Sequence, residues 1–192
     1  VVGGAGFIGS TLVGRLLAEE RVDRVVVLDN LSSGSREMLG ESLGDSLGDS
    51  RVDLIVGDCG DPEVSSRALE GVDVVVHLAS NPDIARAVTE PEIDFSSGTL
   101  LTNSVVEAAR TQGVNTIVYA SGGGVYGDLG DLEIPEDHGP LRPVSTYGAS
   151  KLAGEALVCA YAHMFGLRGR AFRFANVVGP RQTHGVGYDF LN

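Results

Sequence analysis

The sequence is poor in basic side chains and in long apolar runs. Its 14 lysine and arginine residues are outnumbered by 26 acidic ones, the formal net charge is -12, and Lys151 is the only lysine. This charge repels nucleic-acid phosphates, so we expect no nucleic-acid partner. Acidic residues and glycines interrupt every apolar stretch before the roughly 20 residues that a membrane helix needs, so we expect no membrane span.

Cysteine is also rare. Cys59 and Cys159 lie far apart without CxxC spacing, which favours reduced thiols in a cytoplasmic protein, and we expect no metal site. The chain has no initiator methionine: it starts at Val1-Val2, as if partway along a strand, and stops at Asn192 without a cap or tail. We therefore expect a fragment of a longer protein.

Strand-like and helix-like stretches alternate in a composition, 43% apolar and 21% charged, that is typical of globular domains. Strand-like runs lie at 24–28, 52–56, 74–78, 116–120 and 170–174, and the first of them (RVVVL) is continuously apolar after Arg24, which is typical of a buried parallel strand. Helical patterns lie at 7–20, 62–69, 100–110 and 145–165.

This alternation predicts an α/β fold, a doubly wound parallel sheet of Rossmann type in three α/β/α layers, as one domain over 1–192. Its ligands should bind above the carboxyl ends of the strands. Residues 39–50 read LGES-LGDS-LGDS, which we interpret as a mobile acidic insertion too polar and glycine-rich to pack.

A glycine-rich turn follows the first strand. Gly3, Gly6 and Gly9 are spaced for a tight turn, close approach to a pyrophosphate and close helix packing, and the helix N-terminus after them attracts phosphate. Asp29 ends the next strand, where a carboxylate can accept from both ribose hydroxyls and would repel a 2′-phosphate. This pairing predicts NAD rather than NADP as cofactor, although Arg36 nearby leaves NADP open.

Tyr147 and Lys151 stand four residues apart at the start of the long helix, hence on one face. A phenol with a pKa near 10 is a poor base at neutral pH, and a nearby ammonium stabilises its phenolate. A compact ammonium can also bridge ribose hydroxyls, which a guanidinium would not do in the same way. The pair predicts proton abstraction from an alcohol during hydride transfer.

Several stretches together resemble the extended short-chain dehydrogenases, in particular UDP-glucose 4-epimerase-like proteins of archaeal type. They run in family order across nearly the whole chain: GGAGFIGS (3–10), LDNLSSG (28–34), GDCGD (57–61), HLASNPD (77–83), GVYGD (124–128), YGASKLAGEAL (147–157) and RFANVVGPRQTHGV (173–186).

The resemblance implies Tyr147 and Lys151 as the catalytic pair, with Ser121 as a possible third member, and Asn176 beside the sugar nucleotide. His77 we interpret as a core residue at a strand end. The cofactor-binding residues implied by the motifs and the resemblance are Gly3, Gly6, Phe7, Ile8, Gly9, Asp29, Asn30, Ser33, Gly34, Asp58, Cys59, Leu78, Ala79, Ser80, Tyr147, Lys151 and Phe174.

Two positions depart from the family pattern. The usual catalytic Ser or Thr falls on Gly122, one residue after Ser121, and a usual Asn near the cofactor falls on Gly98. The related 4,6-dehydratases have Asp-Glu where this chain has Gly123-Gly124, which favours an epimerase over a dehydratase.

The resemblance thus implies a cytoplasmic NAD-dependent epimerase that oxidises C4 of a UDP-hexose transiently and returns hydride to the opposite face. A dehydratase or reductase of the same family and a catalytically idle NAD-binding protein remain alternatives. We expect the C-terminal substrate-binding lobe to lie beyond residue 192. We also expect a homodimer through the tyrosine helix, where Ala153, Ala156 and Leu157 serve either that interface or the core.

Overall fold

A computed structural model describes residues 1–43, 49–182, 188 and 190 of the chain. Its strands pair only in parallel within these residues, as the alternation of strand-like and helix-like stretches predicts. The strands are β1 (Val25–Asp29), β2 (Val52–Val56), β3 (Val74–His77), β4 (Thr116–Gly122) and β5 (Arg168–Phe174).

Val2 joins the two halves of the sheet. It forms parallel bridges to Leu28 on β1 and to His77 on β3, so the order across the sheet is β2, β1, the Val1-Val2 segment, β3, β4, β5. The chain therefore winds outward in both directions from Val2. In such sheets the ligand crevice opens where the order reverses, at the carboxyl ends of the central strands.

Helices cover both faces of the sheet. One apolar cluster packs α1 and α2 against β1, and the other packs α3, α5 and α6 against the central strands, which confirms the three layers. The helices are α1 (Phe7–Leu17), α2 (Arg36–Leu43), α3 (Pro62–Ala68), α4 (Glu92–Asp94), α5 (Leu101–Thr111) and α6 (Thr146–Phe165), with a π-helix at Phe95–Leu100 and 3₁₀ turns at Ala85–Val88 and Gly123–Val125.

Local signals set the ends of two helices. The Asp61 side chain accepts from the Glu63 N–H at the start of α3, and the Ser145 side chain accepts from the Gly148 N–H at the start of α6. Such caps satisfy N–H groups that would otherwise lack partners. Gly166, in the left-handed conformation, ends α6.

The interpretation of 39–50 as an insertion that cannot pack is wrong for its first part. Residues 39–43 belong to α2, and Leu39 is buried in the cluster with Val13 and Leu17, with Leu43 packed against it. A four-residue repeat places successive leucines on one helix face, so the repeat can form an amphipathic turn. Residues 44–48 lie outside the described residues.

The predicted helix at 100–110 begins earlier in the structure. The α4, π and α5 segments follow one another without a break from Glu92 to Thr111. A π-helix bonds i to i+5 and so shifts the spacing of apolar residues away from 3.6. The helical pattern of this segment is therefore weak before Leu101.

Candidate functional site

A crevice of about 900 Å³ opens at the carboxyl ends of the strands. Its walls are the glycine turn, the loops after the strands and the first turns of α6. This volume lies within the range of small-molecule and cofactor sites. Of the residues predicted for the site, all except Gly34 line this crevice, including Ser121 and Asn176.

The glycine turn forms one end of the crevice. Gly3 has φ +80°, and a Cβ there would lie 2.7 Å from the Ala79 backbone nitrogen, so only glycine fits. A Cβ on Gly9 would overlap the Gly3 carbonyl oxygen, which explains how closely α1 packs against the turn. The N-terminus of α1, capped by Gly6, thus lies at the crevice wall with the geometry that suits a pyrophosphate.

Asp29 is held rigidly beside this turn. Its Oδ2 accepts from the Ala5 backbone N–H and its Oδ1 from the Leu31 backbone N–H, both at 2.9 Å, and the residue is 9% exposed. Each carboxylate oxygen has a further lone pair. The side chain therefore fits the predicted contact with a cofactor ribose.

Gly34 corrects one prediction. It lies behind the glycine turn, where a Cβ would be 2.5 Å from the Ala5 carbonyl carbon, and the next residue, Ser35, donates its N–H to the Ala5 carbonyl. Gly34 therefore supports the turn from outside the crevice. The motif LDNLSSG indicated a contact there because sequence spacing does not show on which side of the turn a residue packs.

Asp58 and Cys59 line the crevice beyond β2. Asp58 Oδ1 accepts from the Gly60 backbone N–H at 2.7 Å, which orders the loop. Burial raises the pKa of Cys59 to about 12, so its side chain is a neutral thiol. A neutral wall beside a carboxylate suits the adenine end of a dinucleotide.

Tyr147 and Lys151 lie together at the other end of the crevice. Lys151 Nζ is 5.4 Å from the centroid of the Tyr147 ring and donates to the Ala120 carbonyl oxygen at 2.9 Å. Lys151 is only 4% exposed, and burial lowers its pKa to about 8. Both side chains line the crevice, as their spacing on one helix face predicts.

The Tyr147 phenol has a pKa above its ordinary value. Burial is the largest cause, a hydrogen bond with Ser80 lowers the pKa, and the charge of Asp94 raises it again. In the protein alone, loss of hydration disfavours the phenolate more than the surroundings stabilise it. The lowering of this pKa by Lys151 together with a bound nicotinamide ring stays a prediction.

Ser121 is buried and lines the crevice. Burial raises the pKa of Glu155, but the Arg173 guanidinium and the Ser121 hydroxyl outweigh this and hold the pKa below its ordinary value. Arg173 Nη2 lies 2.8 Å from Glu155 Oε2. The Ser121 hydroxyl oxygen has no hydrogen-bond partner within the described residues, and its role as the third catalytic residue stays a prediction.

The two departures from the family pattern differ in the space around them. Gly122 is extended (φ -158°) and lines the crevice, and a Cβ there would be 3.7 Å from the Phe174 carbonyl oxygen. A side chain therefore fits at Gly122. A Cβ on Gly98 would lie 2.7 Å from Ser150 Oγ, so the π-helix packs directly onto α6 there.

His77 is fully buried between β3 and α5, with Nε2 3.1 Å from Thr102 Oγ1. Burial, together with the charge of Lys151, lowers the pKa of His77 to about 3, so the imidazole is neutral. The interpretation of His77 as a core residue is confirmed.

Sequence reasoning missed the wall formed by the loop after β3. Asn81, Asp83 and Ile84 line the crevice there, together with Ile93 and Ser97 from the helices that follow. The polar residues Asn81 and Asp83 stand in the quoted HLASNPD stretch, directly after a strand, which was the available signal. Ile93 and Ser97 had none, because their helix was not predicted.

Within the described ranges, no group of three or more His, Cys, Asp or Glu side chains is arranged to hold a metal ion. Every described helix is too short or too polar to cross a lipid bilayer.

The chain is similar to several nucleotide-sugar epimerases and dehydratases. UDP-glucose 4-epimerase from Mycolicibacterium smegmatis is 38% identical over 188 residues, covering 96% of this chain and 58% of that protein. A crystal structure of a UDP-galactose 4-epimerase has 45% identity and a TM-score of 0.86, covering 99% of this chain and 60% of that one. A crystal structure of dTDP-glucose 4,6-dehydratase from Streptomyces venezuelae with NAD bound has 34% identity and a TM-score of 0.87, covering 94% and 56%.

The chain spans between 56% and 60% of the lengths of these relatives. Over residues 1–190 it matches the pattern of the NAD dependent epimerase/dehydratase family. The resemblance stated from the motifs is therefore confirmed, and so is the expected cofactor: the chain belongs to the NAD-dependent epimerase/dehydratase family.

Proposed function

We propose that the full-length protein is an NAD-dependent nucleotide-sugar 4-epimerase that acts at C4 of a UDP-hexose. The observation that carries this proposal is the placement of Tyr147 and Lys151 in the same crevice as the glycine turn and Asp29. One end of the crevice thus fits a dinucleotide, and the other holds a phenol and an ammonium side by side. NAD, when bound, supplies the group that accepts a hydride and returns it.

Tyr147 would act on the proton of the C4 hydroxyl. In its phenolate form it would accept this proton as hydride leaves C4, and it would give the proton back when hydride returns to the other face of the 4-keto sugar. Lys151, held by the Ala120 carbonyl, would bind the cofactor ribose and stabilise the phenolate through its charge. Burial holds Tyr147 as a phenol in the protein alone, so its own proton would leave to solvent once the positive charges of Lys151 and of bound NAD favour the phenolate.

The loop after β4 favours epimerisation over dehydration. Gly123 and Gly124 line the crevice. The related 4,6-dehydratases carry Asp-Glu at these two positions. Two glycines supply neither the acid nor the base needed to eliminate water across C5–C6. The identity of 34% to a dTDP-glucose 4,6-dehydratase makes this the second candidate reaction.

A catalytically idle NAD-binding protein is the candidate from another class. Gly122, which stands where the family has Ser or Thr, favours it. The half-buried Tyr147 beside the buried Lys151 in the crevice opposes it, because this is the arrangement that proton transfer from an alcohol requires.

The test is conversion of nucleotide sugars by the full-length protein with NAD. We expect interconversion of UDP-glucose and UDP-galactose, loss of at least about 10²-fold in kcat on Tyr147→Phe, and wild-type kcat for the control Tyr161→Phe, farther along the same helix. Release of a 4-keto-6-deoxy sugar from dTDP-glucose would instead assign the dehydratase reaction. Binding of NAD without conversion of any sugar would assign the idle protein.

We also propose that the full-length protein is a cytoplasmic homodimer. On α6, Ala156 is exposed and Ala153 and Leu157 are half-buried, so this face is not part of the core. Cys59 and Cys159 are both free thiols, which supports the proposed cytoplasmic location. Light scattering should give twice the monomer mass, and a monomer would contradict the proposal.

A further inference from the structure

A buried carboxylate lies behind the crevice wall without a part in the reaction proposed above. Asp94 is 1% exposed and ends α4 where the chain enters the π-helix. Its Oδ1 accepts from Asn81 Nδ2 at 2.8 Å, and its Oδ2 accepts from Thr146 Oγ1 at 2.7 Å. One side chain therefore connects the loop after β3 to the first turn of α6.

Both partners of Asp94 lie beside groups that face the crevice. Thr146 immediately precedes Tyr147, so its hydrogen bond holds the turn from which the phenol projects. Asn81 lines the crevice, and it is held further by Asp83: Asn81 Nδ2 donates to the Asp83 carbonyl at 2.9 Å and Asn81 Oδ1 accepts from the Asp83 N–H at 3.0 Å. Displacing Asp94 would therefore move the loop after β3 and the first turn of α6, from which Tyr147 projects.

Asp94 also contributes charge. The ion pairs formed within residues 1–43 and 49–182 involve other carboxylates, so the charge of Asp94 is not neutralised by an arginine. The titratable groups that act on Tyr147 are Lys151 on its own helix, Tyr119 on β4, and Asp94 on α4. After burial, Asp94 is the group that raises the pKa of Tyr147.

We infer that Asp94 is a positioning residue for Tyr147: through Thr146 and Asn81 it joins the first turn of the tyrosine helix to the loop after β3, and its carboxylate, opposite in sign to Lys151, acts on the phenol through its charge. This inference rests on the proposed role of Tyr147 as the proton-transferring group. Asp94 itself does not line the crevice, so it acts through Thr146 and Asn81.

The test compares Asp94→Asn with Asp94→Ala in the full-length protein. An asparagine can accept from Asn81 with its oxygen and donate to the Thr146 hydroxyl with its nitrogen, so it removes the charge but preserves both connections. Alanine removes both. The matched control is Glu92→Gln, which removes a carboxylate from the exposed part of the same short helix.

The first measurement is an absorbance titration of Tyr147, taken as the difference from the same protein with Tyr147→Phe. Because a negative charge disfavours the phenolate, Tyr147 should titrate at lower pH in Asp94→Asn than in the wild type. The acid limb of the pH profile of kcat should move in the same direction, with little change in KM. Glu92→Gln should titrate as the wild type does. Asp94→Ala should lose about 10²-fold in kcat, because misplaced reacting groups lose that much.

An unchanged Tyr147 titration in Asp94→Asn, or an equal shift in Glu92→Gln, would overturn the inference. So would wild-type kcat in Asp94→Ala. If Asp94→Ala does not fold, Asp94→Asn decides alone. The absorbance titration needs no substrate, so a protein that fails to convert UDP-hexoses still tests the contact, and failure of the proposed function is seen separately.

Discussion

The glycine turn after Val2 and the loop after β4 are both glycine-rich walls of one crevice, but their glycines have different causes. In the turn, a Cβ on Gly3 would lie 2.7 Å from the Ala79 nitrogen, and one on Gly9 would overlap the Gly3 carbonyl. In the loop, Cβ atoms on Gly122 and Gly123 would lie 3.7 Å and 3.9 Å from the Phe174 carbonyl oxygen. The backbone requires glycine at Gly3 and Gly9 of the turn and accepts a side chain at Gly122 and Gly123.

This difference separates the two ends of the crevice. The cofactor end is formed by the glycine turn and Asp29, and the reactive end holds Tyr147, Lys151 and the glycines at the end of β4. At the cofactor end, backbone groups and one carboxylate, Asp29, supply the binding surface, and steric limits preserve the motif. At the reactive end, side chains supply the chemistry, and the missing hydroxyl at Gly122 is not a requirement of the fold. Four substitutions test this comparison.

Gly9→Ala should have the largest effect. The added Cβ overlaps backbone that cannot move without opening the turn, so we expect a loss of about 4 kcal/mol in the free energy of unfolding, together with loss of NAD binding. Thermal denaturation and NAD titration measure both. The matched control Gly123→Ala has room for its methyl group and should stay within about 0.5 kcal/mol of the wild type; equal losses in the two variants would refute the steric distinction.

Arg173→Gln tests the support beneath the reactive end. It leaves the Glu155 carboxylate, 8% exposed, without its bidentate partner, and we expect a loss of about 3 kcal/mol in unfolding free energy at pH 7. Because the folded-state pKa of Glu155 is lowered, this stabilisation is full above its unfolded pKa and is lost as the pH falls through the folded pKa.

The stability gap between wild type and Arg173→Gln should therefore narrow below about pH 4. Urea unfolding at several pH values measures it. If the difference in unfolding free energy stays constant at acidic pH, Arg173 stabilises the protein through packing over the Tyr126 ring, whose centroid is 4.8 Å away, and not through its charge.

Asp29→Asn should weaken NAD binding by about 2 kcal/mol, roughly 30-fold, because charge-assisted hydrogen bonds to the ribose are lost. One of the Ala5 and Leu31 N–H groups would also face an amide nitrogen. Calorimetric titration with NAD and NADP measures the affinities. The exposed control Asp53→Asn should bind as the wild type does, and unchanged NAD affinity in Asp29→Asn would contradict the assigned ribose contact.

Gly122→Ser should have the smallest effect and the opposite sign. It adds a hydroxyl to the crevice where the family has one, in extended backbone with space for it. One hydrogen bond to the reacting oxygen lowers the barrier by about 1.4 kcal/mol, so we expect kcat to rise about tenfold. A fall in kcat in both Gly122→Ser and Gly122→Ala would contradict this prediction and mean that the crevice requires glycine at this position.

The cofactor end of the crevice was predicted well from sequence because its chemistry is local. The glycines of the turn and Asp29 are read from spacing along one βαβ unit, and each lines the crevice as expected. Gly34 was misplaced because spacing does not distinguish the two sides of a turn. The leucines of α2 were misread because composition was weighed above the helical period of the repeat.

The reactive end was predicted less completely because it assembles from distant segments. The spacing of Tyr147 and Lys151 is local and was sufficient for that pair. The contacts of Asp94 with Asn81 and Thr146 join residues 13 and 52 positions apart, and no single stretch of the sequence reports them.

The parallel sheet, the dinucleotide turn and the tyrosine–lysine face of α6 could be predicted from the chain, because each follows from a short-range period. The folded structure was needed to show which glycines are sterically required and that the buried Asp94 connects Asn81 to Thr146. The reason is that excluded volume and electrostatic interactions depend on distances through space, which residue spacing along the chain does not specify.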